Sequence, residues 1–402
     1  MQKFISVDDA KEQILGTPNL VGVERVMLSA ANGRRLAETI LATEDSPPFD
    51  NSAMDGFALN GALLKPHVSY PIVGESAAGR PFVGALPVGS AIRIMTGAQL
   101  PTAADTVIVR EVATVEHESV TFSEVPVRGA NIRTKGSAMA LDELVLDVGS
   151  KIGPGEIGLL ASFQRATVSV FRKPVVAVLT TGDELVEVGG VRKEAQIVNS
   201  NAYMLRALLE DEGCDPFVFP IIPDQLEATR DAFKKAINTA DVVISVGGVS
   251  VGDYDWVKTV LDEVSEGAEF WKIQMKPGKP LAYGKASNGV ALLGLPGNPV
   301  SAFVCYQQFV GPLLRMIQGV PRQNAELRQV EASCSTAIRS TPKRRHYVTG
   351  TLKFTPEPVF TPFHDLSSGN LVAIGGINAL AIVELGVSTI GVGETCLVDI
   401  LN

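Results

Sequence analysis

The sequence predicts a multidomain α/β plus all-β protein, in which a doubly wound α/β domain lies between β-rich regions. Strands and helices alternate over residues 174–321, and several strands are continuous apolar runs, such as PVVAVLTTG and DVVISVGG. Such runs are typical of a parallel sheet that is covered on both faces. Short β-rich runs broken by glycine and proline occupy residues 36–170 and return after residue 322. They indicate small all-β domains on both sides of the α/β domain.

Composition favours a folded chain that binds neither nucleic acid nor membrane. The 402 residues are 46% hydrophobic and 20% charged, which excludes wholesale disorder. The net charge of −9 and the absence of a long basic stripe argue against a nucleic-acid ligand. The N-terminus has no apolar signal region, and no apolar run of about 18 residues occurs, so we expect a cytoplasmic protein. The four cysteines form no C-x-x-C pair, which favours reduced thiols over zinc or disulfides.

Local signals predict where two helices begin. Ser6 and Asp9 resemble a capping box at the start of the first helix. Asn298 is a candidate N-cap for a long helix over NPVSAFVCYQQFVGPLLRMIQ, and Pro299 takes the first helical position, where its missing N–H costs nothing. Cys305 falls inside that helix, and we expect it in the core.

Four loops at the carboxyl ends of the predicted strands carry the candidate chemistry, because ligands of open parallel sheets bind there. The glycines of the two glycine-rich loops, SVGGVSVGDYD and GLPGNPVS, let backbone N–H groups approach an anion beside a helix start. One Gly-Gly alone is more often a tight turn, but two such turns in one sheet predict a ligand with phosphate groups. The loops are TTGDEL (180–185), IIPD (221–224), SVGGVSVGDYD (245–255) and GLPGNPVS (294–301).

Charged residues near these loops indicate how such a ligand would be held. Glu184, Asp224 and Asp255 at neighbouring strand ends would repel a phosphate unless a cation lay between them, and Mg²⁺ is the natural choice. If residues 271–275 form one strand, Lys272 and Lys276 lie on the same side and would neutralise an oxyanion. The alternative interpretation of the two lysines is a solvated edge.

These segments together resemble the MoeA family of molybdopterin molybdenumtransferases, whose eukaryotic relatives include the E domain of gephyrin. The matching stretches occur in the family's order and cover nearly the whole chain. They are PPFDNSAMDGFAL, RIMTGAQLP, NIRTKG, TTGDEL, VNSN, GGVSVGDYDWVK, FWKIQMKPGKP and GLPGNPVSAF.

The resemblance implies four domains and an elongated homodimer. The site would lie in a cleft where the α/β domain of one subunit faces the second domain of the other. The implied domains are an N-terminal dimerisation and linker domain (1–23, 43–50 and 136–173), a β-rich second domain (24–42 and 51–135), a MogA-like molybdopterin-binding α/β domain (174–321) and a C-terminal β-barrel (322–402).

The resemblance also implies an activity, the insertion of molybdate into adenylylated molybdopterin with release of AMP. Mg²⁺ is the implied cofactor, with Asp224 and Asp255 as its ligands, and a MogA-type adenylyltransferase is an expected partner. The implied catalytic residues are Asp55, Thr96, Glu184, Lys272 and Lys276. The implied substrate-binding residues are Gly247, Gly248, Ser250, Gly252, Pro296, Gly297, Asn298, Ser301 and Ser368.

Three positions depart from the family's pattern. Ala138 stands where the family has an aspartate, Thr349 where it has an arginine, and Val246 where serine or threonine precedes the Gly-Gly pair. One alternative is therefore a divergent paralogue that uses another oxyanion, such as tungstate, or turns over weakly. Another is a non-catalytic binding or scaffold protein. Retention of the converging acids and lysines favours an enzyme, because such charges are costly without a ligand.

Overall fold

The computed structural model describes residues 3–249, 256–267, 269–365 and 367–401. The chain divides into two compact units. The division into four domains stays a prediction. Unit 1 comprises Met1–Glu38, Val148–Ile157 and Ala166–Asn402, and unit 2 comprises Thr39–Asp147 and Gly158–Arg165.

A seven-stranded sheet forms the centre of unit 1 and carries the predicted α/β pattern. Every strand runs parallel to the others except Pro280–Lys285, which is antiparallel to both of its neighbours. The expected parallel sheet is therefore mixed. The strands, from one edge to the other, are Lys3–Ile5, Glu269–Ile273, Pro280–Lys285, Ala291–Leu295, Val242–Val246, Val175–Thr180 and Asp215–Val218.

The exception follows from the length of the connections. Only residues 274–279 join Pro280–Lys285 to the preceding strand, and only residues 286–290 join it to the next. A parallel crossover needs a dozen or more residues, so these short links permit antiparallel pairing alone.

Helices cover the sheet, and one of the two predicted helix starts is the first of them. The capping box at Ser6 and Asp9 is confirmed, and the first helix buries Ile14 and Leu15 in the same core as the sheet. Within the described residues, no helix is long and apolar enough to cross a membrane. The α-helices are Val7–Leu15, Pro154–Ser162, Ser200–Asp211, Leu226–Thr239, Trp256–Val264, Pro299–Cys305, Gly311–Ile317 and Arg322–Ala325.

The predicted long helix after Asn298 is continuous but changes its winding. A π-helical segment, Tyr306–Val310, separates Pro299–Cys305 from Gly311–Ile317. Pro312 lacks the N–H that an α-helix needs at this point, and the wider turn accommodates it. Cys305 is fully buried, as expected.

A closed β-barrel forms the C-terminal part of unit 1. Its interior contains Val348, Leu352 and Phe360, and a short strand, Met275–Lys276, pairs in parallel with the first two residues of its longest strand. The five barrel strands, in order, are Arg345–Phe354, Pro358–Pro362, Gln329–Cys334, Thr395–Ile400 and Ala379–Val383, the last of which pairs with the first.

Unit 2 is built on a six-stranded sheet with an apolar core on each face. In order, its strands are Thr106–Val109, Gly56–Leu59, Ala91–Ile94, Tyr70–Ser76, Ser119–Phe122 and Ala113–Glu116. The described residues also form two-stranded pairs: Asn51–Ser52 with Ile132–Arg133, Ile40–Leu41 with Leu144–Leu146, Val23–Met27 with Thr167–Phe171, Leu185–Val186 with Ile197–Val198, and Ile338–Arg339 with Thr389–Ile390.

Replacing His346 with asparagine should make the protein's stability less sensitive to acid. His346 is 1% exposed, and burial, with smaller effects from Lys276 and Arg344, lowers its pKa from 6.5 to about 4. Burial disfavours protonation of His346 in the folded protein. The contribution of His346 to the free energy of unfolding is therefore complete above the histidine pKa of the unfolded chain, and it is lost as the pH falls towards 4.

Between pH 7 and pH 5, the original protein should lose about 2 kcal/mol more unfolding free energy than His346→Asn. Urea unfolding at each pH measures the difference. Equal losses in both proteins would show that His346 does not titrate as a buried neutral group.

Candidate active site

A cavity of about 720 Å³ lies in unit 1 at the carboxyl ends of three parallel strands. Val175–Thr180, Val242–Val246 and Ala291–Leu295 pair in parallel, so the loops that follow them reach the same edge of the sheet. The cavity lining includes seven of the predicted site residues, namely Glu184, Gly247, Gly248, Pro296, Gly297, Asn298 and Ser301.

The Gly-Gly turn on the wall of this cavity requires glycine. Gly247 and Gly248 have φ angles of +88° and +65°, which other residues rarely adopt. A β-carbon on Gly248 would also lie 2.6 Å from Cγ2 of Val257. A side chain there would clash with the helix that follows.

The second glycine turn lies against the first. A β-carbon on Gly297 would be 3.7 Å from Cα of Gly247, and the Gly247 amide donates a hydrogen bond of 3.1 Å to the carbonyl of Leu295. The two predicted loops therefore form one wall. The Gly247 amide is used by the fold, and an incoming anion would have to bind to other groups of the wall.

Two asparagines support this wall, and neither was assigned to the site from the sequence. Asn199 caps the helix Ser200–Asp211, and its Nδ2 donates to Oγ1 of Thr180 over 2.9 Å. Asn201 Nδ2 donates to the carbonyl of Gly297 over 2.7 Å. In the sequence, the two asparagines lie at a helix start, a position that favours helix capping. That position does not indicate that Asn201 contacts Gly297, 96 residues further along the chain.

Glu184 occupies an exposed position on the cavity lining. Gly182, with φ of +147°, lets the Glu184 carboxylate fold back over the backbone, because a β-carbon there would clash with it. The Glu184 carbonyl also accepts a 2.7 Å hydrogen bond from the amide of Ile197. The loop is thus held while its carboxylate stays accessible.

Asp224 lies outside the described cavity lining, next to a second carboxylate. The Asp183 amide donates to Oδ2 of Asp224 over 3.4 Å, and the Asp224 amide donates to Oδ1 of Asp183 over 3.2 Å. Trp256 Nε1 donates to the Asp224 carbonyl over 3.1 Å. These reciprocal bonds hold the carboxylates of Asp183 and Asp224 close together. Carboxylate oxygens are the donors that a hard cation prefers.

Asn298 takes the N-cap position, but its side chain does not cap the helix. Instead, its Nδ2 donates to Oγ of Ser368 over 3.1 Å, and the Val300 amide donates to the Ser368 carbonyl over 3.2 Å. The serine predicted from the C-terminal region therefore supplies a partner for the helix start.

The two lysines lie on different strands, so the expectation that one strand carries both is wrong. Lys272 belongs to Glu269–Ile273 in the seven-stranded sheet. Lys276 belongs to Met275–Lys276, opposite His346 of the barrel. The chain changes sheets at Gln274, and neither lysine is among the described cavity-lining residues. Their catalytic roles stay predictions.

Asp55 and Thr96 lie together in unit 2. Oδ1 of Asp55 accepts hydrogen bonds from the amide and the hydroxyl of Thr96, both 2.7 Å. These bonds lower the pKa of Asp55, with a smaller effect from Arg110. The two predicted site residues are thus one hydrogen-bonded pair. Three other predicted residues, Ser250, Gly252 and Asp255, lie outside the described residues.

The positions that depart from the family's pattern have different surroundings. Ala138 is exposed in unit 2, and its amide donates to the carbonyl of Ser46. Thr349 is 2% exposed in the barrel wall, and its hydroxyl has no hydrogen-bond partner in the described part of the chain. A buried hydroxyl without a hydrogen-bond partner is costly, and the Thr349 hydroxyl has that cost in the barrel wall.

Three family models match successive parts of the chain. Residues 5–163 match the MoeA N-terminal region (domain I and II), and residues 177–316 match a probable molybdopterin binding domain. Residues 331–401 match the MoeA C-terminal region (domain IV).

Similar proteins cover most of the chain. Molybdopterin molybdenumtransferase of Haemophilus influenzae is 41% identical over 79% of this chain and 78% of its own length. The protein of that name from a Nostoc species is 37% identical over 93% and 88%. The crystal structure of the molybdopterin biosynthesis moeA protein from Pyrococcus horikoshii matches with a TM-score of 0.85, 25% identity and coverage of 99% and 100%. With these relatives, three matching regions and a shared architecture, the chain belongs to the MoeA family.

Proposed function

We propose that this protein inserts molybdate into adenylylated molybdopterin and releases AMP and molybdenum cofactor. Membership of the MoeA family makes it a molybdopterin molybdenumtransferase of molybdenum cofactor biosynthesis. The observation that carries the finer proposal is the contact between the Gly247 and Gly297 turns at the edge of the parallel strands. It creates a wall of backbone beside a large cavity.

The cavity suits a ligand that combines rings with phosphates. Its volume of about 720 Å³ lies within the usual range for small-molecule sites, roughly 300–1,000 Å³. The close-packed glycines let a ligand approach the backbone, and Glu184 offers a carboxylate that accepts hydrogen bonds from amino or hydroxyl groups. Ser301 adds a nearly buried hydroxyl at the start of the helix that follows.

Catalysis would consist of positioning and charge compensation. A molybdate oxygen can attack the phosphoanhydride directly, so no protein nucleophile is needed. We propose that Lys272 and Lys276 offset the charge of the oxyanions. Asp55 and Thr96 would act from a second copy of the chain, as the resemblance implies.

The acids after the strands fit Mg²⁺ in their donor chemistry. Asp183 and Asp224 present carboxylate oxygens, and Mg²⁺ commonly needs only one or two carboxylates together with phosphate oxygens and water. Among the described residues, no group of three His, Cys, Asp or Glu side chains is placed to hold a metal ion. We propose that Asp224 and Asp255 bind Mg²⁺, which would offset phosphate charge when bound.

We further propose a cytoplasmic homodimer that receives its adenylylated substrate from a MogA-type adenylyltransferase. Light scattering at several concentrations should give twice the chain mass of 42.6 kDa. The resemblance implies that each site is completed by the second copy, so a dimer is expected wherever the enzyme is active. A mass of 42.6 kDa in a fully active sample would contradict the dimer.

AMP release from adenylylated molybdopterin should depend on molybdate and on Glu184. Glu184→Gln removes a charged acceptor from the cavity wall, and a charge-assisted hydrogen bond contributes enough to predict a loss of at least about tenfold in kcat/KM. Chromatography of released AMP measures the rate. Glu187→Gln is the matched control, because Glu187 is an exposed acid outside this cavity.

Three outcomes of this assay would count against the proposal or one of its parts. The proposed reaction would be wrong if molybdate left AMP release unchanged. Faster release with tungstate than with molybdate would identify the divergent paralogue instead. Equal rates in Glu184→Gln and Glu187→Gln would remove Glu184 from the site.

Gly248→Ala should weaken both folding and AMP binding. The added methyl group meets Val257, and the turn holds residue 248 at a φ of +65°, which costs about 1–2 kcal/mol for an L-residue. Gly155→Ala is the control, because a β-carbon there meets nothing within 4 Å. Thermal unfolding and equilibrium dialysis of AMP measure the two effects. If AMP bound equally well to both variants, the Gly-Gly turn would not be part of the nucleotide site.

A further inference from the structure

Two cysteine side chains meet inside the C-terminal β-barrel. The sulfur atoms of Cys334 and Cys396 lie 3.2 Å apart, and either thiol can donate a hydrogen bond to the other. Both residues are free thiols, 1% and 5% exposed, and both belong to the apolar core of the barrel. Cys214 and Cys305, the other two cysteines, belong to a different core. The barrel therefore holds a buried pair of thiols in direct contact.

The strands of the barrel fix the backbone of this pair. Cys334 is the last residue of Gln329–Cys334, and Cys396 is the second residue of the antiparallel neighbour Thr395–Ile400. The Cys334 amide also donates a hydrogen bond of 2.9 Å to the carbonyl of Glu394. Both cysteines therefore lie where the two strands end, and strand ends open locally more often than strand centres.

A disulfide bond between these cysteines requires little movement. An S–S bond is about 2.0 Å long, so the two sulfurs have to approach each other by about 1 Å from their separation of 3.2 Å. Strand pairing already brings them together across 62 residues of sequence. The folded barrel thus supplies the proximity that an unfolded chain would have to find by chance.

We propose that Cys334 and Cys396 are a redox-active pair that a low-molecular-weight disulfide converts to an intramolecular disulfide. The thiolate of one cysteine attacks the small disulfide, forms a mixed disulfide with one half and expels the other half as a thiolate. The thiolate of the second cysteine then attacks the sulfur of the first and expels the remaining half. Two electrons pass to the small disulfide, and the two cysteine protons end on the two released thiols. An excess of small thiol reverses both steps.

Burial makes this exchange slow but does not prevent it. It raises the pKa of both thiols, that of Cys396 to about 12, and the Glu394 carboxylate adds a smaller rise at Cys334. The hydrogen bond from Cys396 acts in the opposite direction at Cys334. Because the thiolate is the attacking species, we expect Cys334 to react first.

The new bond would enclose most of the barrel. Three of the five barrel strands, Arg345–Phe354, Pro358–Pro362 and Ala379–Val383, lie between the two cysteines in the chain. A disulfide that closes a long loop restricts the unfolded chain and so favours the folded one. Oxidation should therefore make opening of the barrel rarer.

Peptide mapping of the full-length protein tests the proposal. The protein is incubated with 2-hydroxyethyl disulfide at about pH 8.5, near the pKa of a free thiol, then alkylated in urea and digested without a reductant. We expect one pair of peptides, joined through Cys334 and Cys396, which dithiothreitol separates. In hydrogen exchange, the amides of Arg345–Phe354 should exchange at least about tenfold more slowly in the oxidised protein.

Matched variants separate the pair from the reactivity of any buried thiol. Cys305→Ala removes a buried cysteine of the other core and should leave the yield of linked peptides unchanged. Cys396→Ala should abolish the link. Thermal unfolding of each variant checks that it is folded, and the mapping of the original protein stands without the variants.

Two results would overturn the proposal. One is that the folded protein keeps both barrel thiols free under conditions that oxidise the same chain in urea. The other is that the mapped disulfide joins different cysteines. Equal exchange of the Arg345–Phe354 amides in the reduced and oxidised proteins would show that the bond does not hold the barrel closed. None of these readouts depends on AMP release, so the pair is tested separately from the proposed reaction.

Discussion

The site of unit 1 depends on the in-register parallel pairing of three buried strands. Thr180 lies opposite Val246, and Val246 lies opposite Leu295. The next residue of each strand therefore emerges at the same level of the sheet edge. This pairing brings the TTGDEL segment, the Gly247–Gly248 turn and the GLPGNP segment side by side, although more than 100 residues separate the first from the last. A slip of one residue would turn the buried side chains to the wrong face.

The glycines turn that alignment into a cavity. The Gly247 and Gly297 turns lie in contact, and glycine at position 248 lets the chain enter the next helix beside Val257. Polar side chains then fix the wall from other segments, through Asn201 on Gly297 and Ser368 on Asn298. The wall is therefore set by packing before a ligand binds, which reduces the entropic cost of recognition.

Features governed by local patterns were predictable from the sequence. The apolar runs predicted the strands Val175–Thr180 and Val242–Val246, and Ser6 with Asp9 predicted the first helix start. Glycine at strand ends predicted the loops of the cavity. These signals depend on residues close in the chain, for which periodicity and capping preferences are informative.

Features that depend on distant contacts were not predictable. The direction of Pro280–Lys285 could have been predicted from its two short connections. Lys276, in contrast, leaves the sheet because its segment pairs with the barrel. Asn298 looked like a side-chain cap, yet its amide bonds to Ser368, 70 residues away.

We propose that the wall formed by the two glycine turns holds the nucleotide part of the substrate. A crystal structure of the protein with AMP would test this role. We expect AMP in the cavity of unit 1, with its phosphate beside the Gly247–Gly248 and Gly297 turns and its adenosine within reach of Glu184. AMP bound at saturating concentration elsewhere on the chain, with this cavity empty, would contradict it.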